Sequence, residues 1–385
     1  MAHTVTETGR IQTTWLIVLS AAVWAVAALP AAGQLRIPPK AGTPPATAPA
    51  PGASAGDKKP ALDARRETLD LPVQFRKKKG DAEGRKAVVD RAIELGGQAP
   101  AAVLVAVQAE MAPLAARYRQ AFYKEAQQKV RAQLKDVRPQ DIDAHRQAIM
   151  GAVNQPDLAK ETIVEKADPA LKQLQERLLV SPEAVLAGAE ALQKMREELA
   201  ALGQFADRLT EALPATAGKA AGAPGPARSD ATLRADEEVA GLMVIAADDK
   251  ARKVLLDNLP LEAKIQPEEA KGIRFMNQVR ILAGLAPCAI DTRLCDAARD
   301  HSKDMVEKKF FDHLSPVPGK REPWDRAKNF GTSANAENIA FGASTGPDAI
   351  MQWWHSPGHL KNMMGSHGRA GLGNFQKTWT QMFSG

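Results

Sequence analysis

Residues 336–340 read Ala336-Glu337-Asn338-Ile339-Ala340, and residues 353–359 read Trp353-Trp354-His355-Ser356-Pro357-Gly358-His359. The second stretch closes a helix. Gly346-Pro347 opens an apolar run through Ile350, Trp353 and Trp354, and Pro357 interrupts it with Ser356 as the next N-cap. His355 and His359, though four apart, therefore need not share a face. Upstream, residues 267–285 read as a helix starting at Pro267, with Ile273, Met276, Val279 and Leu282 on one face. A second helix covers residues 294–308, with Leu294, Ala297, Ala298, Met305 and Val306 apolar. Downstream, residues 369–374 and 379–383 are short strands separated by a turn. Helices around a small antiparallel sheet predict an α+β or three-layer α/β/α domain.

Composition places this domain at the C-terminus. Of 18 aromatic residues, 11 fall between residues 266 and 385, among them Trp324, Trp353, Trp354 and Trp379. Large rings dominate core burial, so Trp353, Trp354 and Trp379 are read as core. The net charge of +6 divides into +3 for residues 266–385 and +3 for the rest. No stripe of positive charge marks a nucleic-acid surface, and the run Arg76-Lys77-Lys78-Lys79 reads as solvated linker.

The chain divides by composition into six parts. Residues 1–33 carry an apolar stretch from Trp15 to Leu29 followed by Pro30-Ala31-Ala32-Gly33, the pattern of a secretory signal or an uncleaved anchor. Both place the remainder in an extracytoplasmic space: secreted, periplasmic or in the cell envelope. Residues 34–61 are a disordered Pro/Ala-rich tether, and residues 214–230 are a second flexible linker. Residues 62–213 are α-helical, residues 231–265 a connecting helix, and residues 266–385 the C-terminal domain.

In the helical region, Ser181-Pro182-Glu183 supplies an N-cap, a first-turn Pro and an acid. The helix it opens carries Leu192, Met195, Leu199, Leu202, Ala206, Leu209 and Leu213 in a 3,4 alternation, a seam for another helix. Segments 101–134 and 169–180 are the expected partners, giving a hairpin or small bundle. Self-association as a coiled coil through the same seam is the alternative. His145 reads as a surface residue.

Five of the seven histidines lie beyond residue 300: His301, His313, His355, His359 and His367. Several phrases occur in order: Asn277-Gln278-Val279-Arg280, Phe311-Asp312-His313-Leu314-Ser315-Pro316, the two stretches quoted first, Gly371-Leu372-Gly373, and Trp379-Thr380-Gln381-Met382-Phe383. In this order they resemble the bacterial form of the CAP superfamily, the SCP-like domain of cysteine-rich secretory proteins, antigen 5 and pathogenesis-related proteins. The resemblance covers about residues 266–385. It implies an α/β/α sandwich whose cleft gathers His313, Glu337 and His359. Animal and plant members carry a second acid three residues after the position of Trp353. Ser356 stands there in this sequence, so mechanisms needing two carboxylates lose support.

From the residues themselves, His313 and His359 could bind zinc or another divalent metal through neutral imidazoles, with Glu337 as a third ligand. Alternatively Glu337 orients an imidazole in a hydrogen-bonded cleft. His355, Ser356 and Asn338 are cleft-edge candidates, with Asn338 satisfying loop backbone. His301 and His367 read as surface or helix-packing residues. Cys288 and Cys295 form either a local disulfide or two buried thiols.

Three functions are compatible with these features. The first is a binding module for an envelope, extracellular or lipid-like ligand, touching the membrane only through the signal or anchor. The second is a metal-assisted, peptidase-like hydrolase, and the third an envelope protein acting through its helical seam.

Overall fold

The computed structural model describes residues 55–213 and 229–385. The signal or anchor, residues 34–54 of the tether and residues 214–228 of the second linker lie outside the described residues.

The N-terminal part is helical. It comprises α1 (Ala55–Lys77), α2 (Ala82–Leu95), α3 (Ala99–Gln133), α4 (Pro139–Val153), α5 (Lys160–Thr162), α6 (Asp168–Leu178), α7 (Pro182–Leu186), α8 (Glu190–Glu211), α9 (Ser229–Ile245) and α10 (Asp249–Glu262). A π-helical turn, Ile163–Ala167, joins α5 to α6. Helix α1 begins inside the segment read as tether, and α9 begins at the end of the segment read as linker. The connecting segment is broken between α9 and α10, where Asp248 caps the second helix by accepting from the Ala251 N–H at 2.8 Å.

The Ser181 cap does not open the seam helix. Its hydroxyl accepts from the Ala184 N–H at 3.2 Å, but the helix ends after five residues. Gly188, at φ +78°, turns the chain, and α8 starts afresh at Glu190. Along α8, Leu192, Leu199, Leu202, Ala206 and Leu209 are buried as the 3,4 spacing predicts. They pack against α3 and α9, in one core with Val103, Val107, Leu114, Tyr118 and Phe122 of α3. By length and composition α3 is apolar enough to cross a bilayer, and in this fold its apolar residues form the helical core.

The expectation that segment 169–180 lines this seam needs correction. Helix α6 turns its Ala170, Leu171, Leu174 and Leu178 toward α4 and the C-terminal domain instead. Those residues, with Ile149, Ala152 and Ile163, share one apolar core with Ile273, Met276, Trp353, Trp354, Leu372 and Phe383.

The C-terminal domain runs α11 (Pro267–Leu282), β1 (Ala289–Ile290), α12 (Thr292–Glu307), α13 (Pro323–Asn329), β2 (Ala336–Phe341), α14 (Gly346–Trp354), α15 (Pro357–Met363), β3 (Arg369–Phe375) and β4 (Thr378–Ser384). Its sheet has the order β1-β3-β4-β2, with β1 parallel to β3 and the other pairs antiparallel. The sheet is thus mixed, and Asn338, expected to satisfy loop backbone, lies in a strand, β2. Its polar pair Glu337-Asn338 obscures the strand pattern, and pairing along β4 from Ala336–Phe383 to Phe341–Thr378 holds it. Gln376 and Lys377, both at positive φ, make the two-residue hairpin loop between β3 and β4.

Side-chain alternation assigns the layers. Trp379 and Phe383 of β4 and Leu372 of β3 point toward α11 and α14, while Met382 joins Leu294, Ala297 and Ala298 of α12. Gly371 and Gly373 let β3 close onto α12: a Cβ on Gly373 would lie 2.0 Å from the Arg299 backbone nitrogen. The result is an α/β/α sandwich preceded by a largely helical region. Trp353, Trp354 and Trp379 are buried, with their indole N–H groups donating to the Ile339 carbonyl, the Asp168 carboxylate and the Ala343 carbonyl.

Candidate functional site

The site sits at the start of β2, where five elements converge. Asp291 caps α12 through the Arg293 and Leu294 N–H groups, and the amphipathic spacing Leu294, Ala298, His301, Met305 turns His301 inward. After α12 the chain bends at Lys309, φ 59°, and enters the segment carrying His313. Helix α13 is fixed by a Glu322/Asp325 capping box with Pro323 at its start. It presents Arg326, while β2 presents Glu337 and Asn338, and α15 supplies His359.

Glu337 is the centre. Its Oε1 accepts from His313 Nδ1 at 2.9 Å and its Oε2 from Arg326 Nη2 at 2.6 Å. The Arg326 and Glu337 side chains are closed to solvent, whereas the His313 side chain is 45% exposed. Arg326 also donates to the carbonyls of His313, Lys320 and Arg321, so one guanidinium both neutralises Glu337 and clamps the His313 segment. Beneath them His301 lies fully buried, with Nε2 3.9 Å from Glu337 Oε1 and 3.2 Å from the Asp312 carbonyl. The carbonyl can only accept, so Nε2 carries the proton. Nδ1 is buried without a partner among the described residues. Burial lowers the His301 imidazole to about 4, against the opposing pull of Glu337.

The His313 and His359 rings lie 6.4 Å apart between centroids. Burial lowers the His359 imidazole, and the neighbouring His313 adds to the effect. Asn338 positions the segment that carries this ring. Its amide donates to the His359 carbonyl at 3.2 Å and to Gln381 Oε1 at 3.0 Å, and its Oδ1 accepts from Asn362 at 2.9 Å.

His313, Glu337, His359 and Asn338 are thus brought together. Ser356 stands at the N-cap of α15, where its carbonyl accepts from the Leu360 N–H at 2.8 Å. His355 points toward the helical region, with Nε2 3.0 Å from Asp168 Oδ2. His301, read as surface or helix packing, is part of the buried layer under Glu337. His367 stacks on Phe383, and its Nε2 contacts the Asn362 carbonyl at 3.0 Å. Of the two readings of the cysteine pair, the structure has free, buried thiols, and burial raises Cys295 to about 12. Sequence reading missed Arg326 altogether, since nothing in its neighbourhood marks it off from the solvated Arg321 and Lys328. For His301 the signal was present in the apolar spacing of α12.

A cavity of about 260 Å³ opens beside this network, lined by His313, Glu322, Pro323, Trp324, Asn335, Ala336 and Glu337. Among the described residues no group of three or more His, Cys, Asp or Glu side chains is placed to hold a metal ion. Glu337 has both oxygens engaged, so the donor set open to a cation is the pair of imidazoles.

Residues 273–370, which contain this constellation, match the CAP family, described as the cysteine-rich secretory protein family. The C-terminal part of the chain is a CAP domain. Over 128 residues it is 37% identical to the uncharacterized protein YkwD of Bacillus subtilis (strain 168), covering 32% of this chain and 49% of that protein. Over 122 residues it is 33% identical to the uncharacterized membrane protein YlbC of the same organism, covering 31% of this chain and 35% of that protein. The chain thus spans about half the length of the first relative and about a third of the second. A solved extracellular protein containing an SCP domain, from Bacillus anthracis str. Ames, is 29% identical, covers 32% of this chain and 42% of that one, and has a TM-score of 0.30. All three likenesses cover about a third of this chain, leaving most of the helical region outside them.

Proposed function

We propose that this chain is an exported, envelope-associated protein whose CAP domain is a non-catalytic binding module, with the cleft between His313 and His359 as its ligand contact. The state of Glu337 carries the reading. A general base needs a carboxylate free to take a proton. Here one oxygen is held by Arg326 and the other by His313, and Ser356 occupies the place of a second acid. The hydrolase reading therefore has less support. The seam of α8 is filled by α3 and α9 of the same chain, which gives the structural reading less to act through. Export is supported by the apolar stretch from Trp15 to Leu29, and an envelope location by the likeness to the membrane protein YlbC.

The same cleft is proposed to accept a divalent cation such as zinc. His313 donates Nδ1–H to a carboxylate, the orientation that outer-shell partners impose on metal-binding imidazoles, and this turns Nε2 outward. His313 and His359 would hold the ion, which would supply an electrophilic anchor for a ligand oxygen.

Cosedimentation of the purified chain with a bacterial wall-and-membrane fraction tests the reading. Retention that is lost in the His313→Ala/His359→Ala variant, with no turnover of peptides or esters in zinc-supplemented buffer, is the expected result. Turnover that disappears in His313→Ala would overturn it, as would retention unchanged in the double variant. Calorimetry with zinc alone is expected to give binding that the double variant loses.

A further inference from the structure

Trp324 behaves unlike the other tryptophans of the described region. Trp353, Trp354 and Trp379 are buried with each indole N–H on an acceptor. Trp324 is 55% exposed and donates no hydrogen bond among the described residues. A large amphipathic ring left in water forgoes both its apolar burial and its polar partner. Trp324 lines the cavity beside His313 and stands two residues before Arg326, whose guanidinium fixes α13 to the His313 segment. The backbone under the ring is therefore rigid, which lowers the ordering cost of using it as a contact surface.

The remaining walls define the ligand chemistry. Glu337 is neutralised by Arg326, and the Glu322 carboxylate takes part in the α13 capping box and pairs with Arg321 at 3.8 Å. The groups left open are the outer edge of the His313 imidazole and the Asn335 side-chain amide, which is exposed and makes no hydrogen bond among the described residues. The cavity thus offers one flat apolar face with the His313 edge and the Asn335 amide beside it, and its one part-exposed carboxylate, Glu322, is paired with Arg321. An anion would find no Lys or Arg in the lining: Arg326 is wholly buried and already engaged, and Arg321 at the rim is paired with Glu322. A long acyl chain would find little apolar wall beyond Trp324, Pro323 and Ala336. A sugar ring matches on both counts: its axial C–H bonds lie against the electron-rich face of an indole, and its equatorial hydroxyls reach the surrounding polar groups. At about 260 Å³ the space suits part of an oligomer rather than a larger ligand.

We propose that Trp324, with His313 and Asn335, forms a subsite for one ring of a neutral saccharide stacked on the indole. This rests on the reading of the cleft as a binding site and gives it a ligand class.

The test titrates the full chain with neutral N-acetylglucosamine and glucose trimers and with a sulfated trisaccharide. Binding is followed by calorimetry and by the Trp324 indole resonance, assigned by its loss in Trp324→Ala. A neutral trimer is expected to shift that resonance and to bind about tenfold more weakly to Trp324→Ala, with much of the affinity kept in Trp324→Phe. The exposed position predicts unchanged melting in both variants. The subsite is overturned if no neutral trimer shifts the resonance, if Trp324→Ala binds as wild type does, or if only the sulfated sugar binds. Envelope retention separates the two ideas. If Trp324→Ala keeps it while His313→Ala/His359→Ala loses it, and no neutral trimer binds, the binding-module reading stands and the saccharide subsite falls. If both variants keep it, the module reading falls as well.

Discussion

Nη2 of Arg326 lies 2.6 Å from Oε2 of Glu337, and both side chains are sealed from water. Two charges in this setting hold each other in place, and either one alone is an uncompensated buried ion. Arg326→Ala is therefore expected to cost about 3–5 kcal/mol in urea unfolding, and to loosen the His313 segment whose carbonyls it holds. Pairing Arg326→Met with Glu337→Gln should recover a large part of that loss, because no charge is then left buried. A double variant as unstable as Arg326→Ala would contradict this account.

His301 sets a pH dependence. Its folded pKa, about 4, lies below the ordinary histidine value, so between about pH 6.5 and 4 the unfolded chain binds a proton that the native chain does not. Stability must then fall as pH is lowered through this window, by about 3 kcal/mol from this group. Burial moves His359 and His367 in the same direction and adds to the slope. His301→Gln, which can still donate toward the Asp312 carbonyl, should flatten the fall in urea midpoint between pH 7 and pH 4.5. An unchanged slope in the variant would assign the dependence elsewhere.

Gly371 and Gly373 mark where β3 meets α12. A Cβ at Gly371 would stand 2.4 Å from the Leu294 carbonyl carbon, and one at Gly373 would stand 2.0 Å from the Arg299 nitrogen. Both obstacles are backbone, which cannot swing aside. Gly371→Ala and Gly373→Ala are each expected to lose about 1–3 kcal/mol or more in thermal or urea unfolding.

Asp168 joins the helical region to the CAP domain, accepting from the Trp354 indole at 2.6 Å and contacting His355 at 3.0 Å. Asp168→Ala leaves a buried indole N–H without a partner, at an expected cost of about 1–3 kcal/mol. Limited proteolysis should then cut between residues 154 and 168 sooner than in wild type. A fragment of residues 266–385, lacking the side chains of α4 and α6 that complete its core, is expected to bind a hydrophobic dye that the full chain does not.

Much of this architecture was legible in the sequence because it depends on short-range periodicity. The 3,4 spacing along α8 named the residues that the helical core buries, and Gly346-Pro347 and Ser356-Pro357 gave the starts of α14 and α15. Glu337 and His313 were found through the ordered phrases that resemble the CAP superfamily. Strand β2 was missed because its pattern is broken by the polar residues that build the site. Arg326 was missed because an arginine is buried or solvated according to what lies opposite it, and Glu337 lies eleven positions away on another element.

The sequence by itself determined where helices begin, which of their faces are apolar, where the aromatic core concentrates, and which histidines and acid could meet. The first three follow from chain stereochemistry and local hydrophobic spacing, and the last from the ordered phrases that resemble the CAP superfamily. Tertiary structure alone decided that α6 docks on the CAP domain rather than on α8, that Glu337 has both oxygens engaged, and that Trp324 stays in solvent while the other three described rings are buried. Each depends on which residues of different elements meet or fail to meet, and an apolar face or a charge does not specify which of several complementary surfaces it will find.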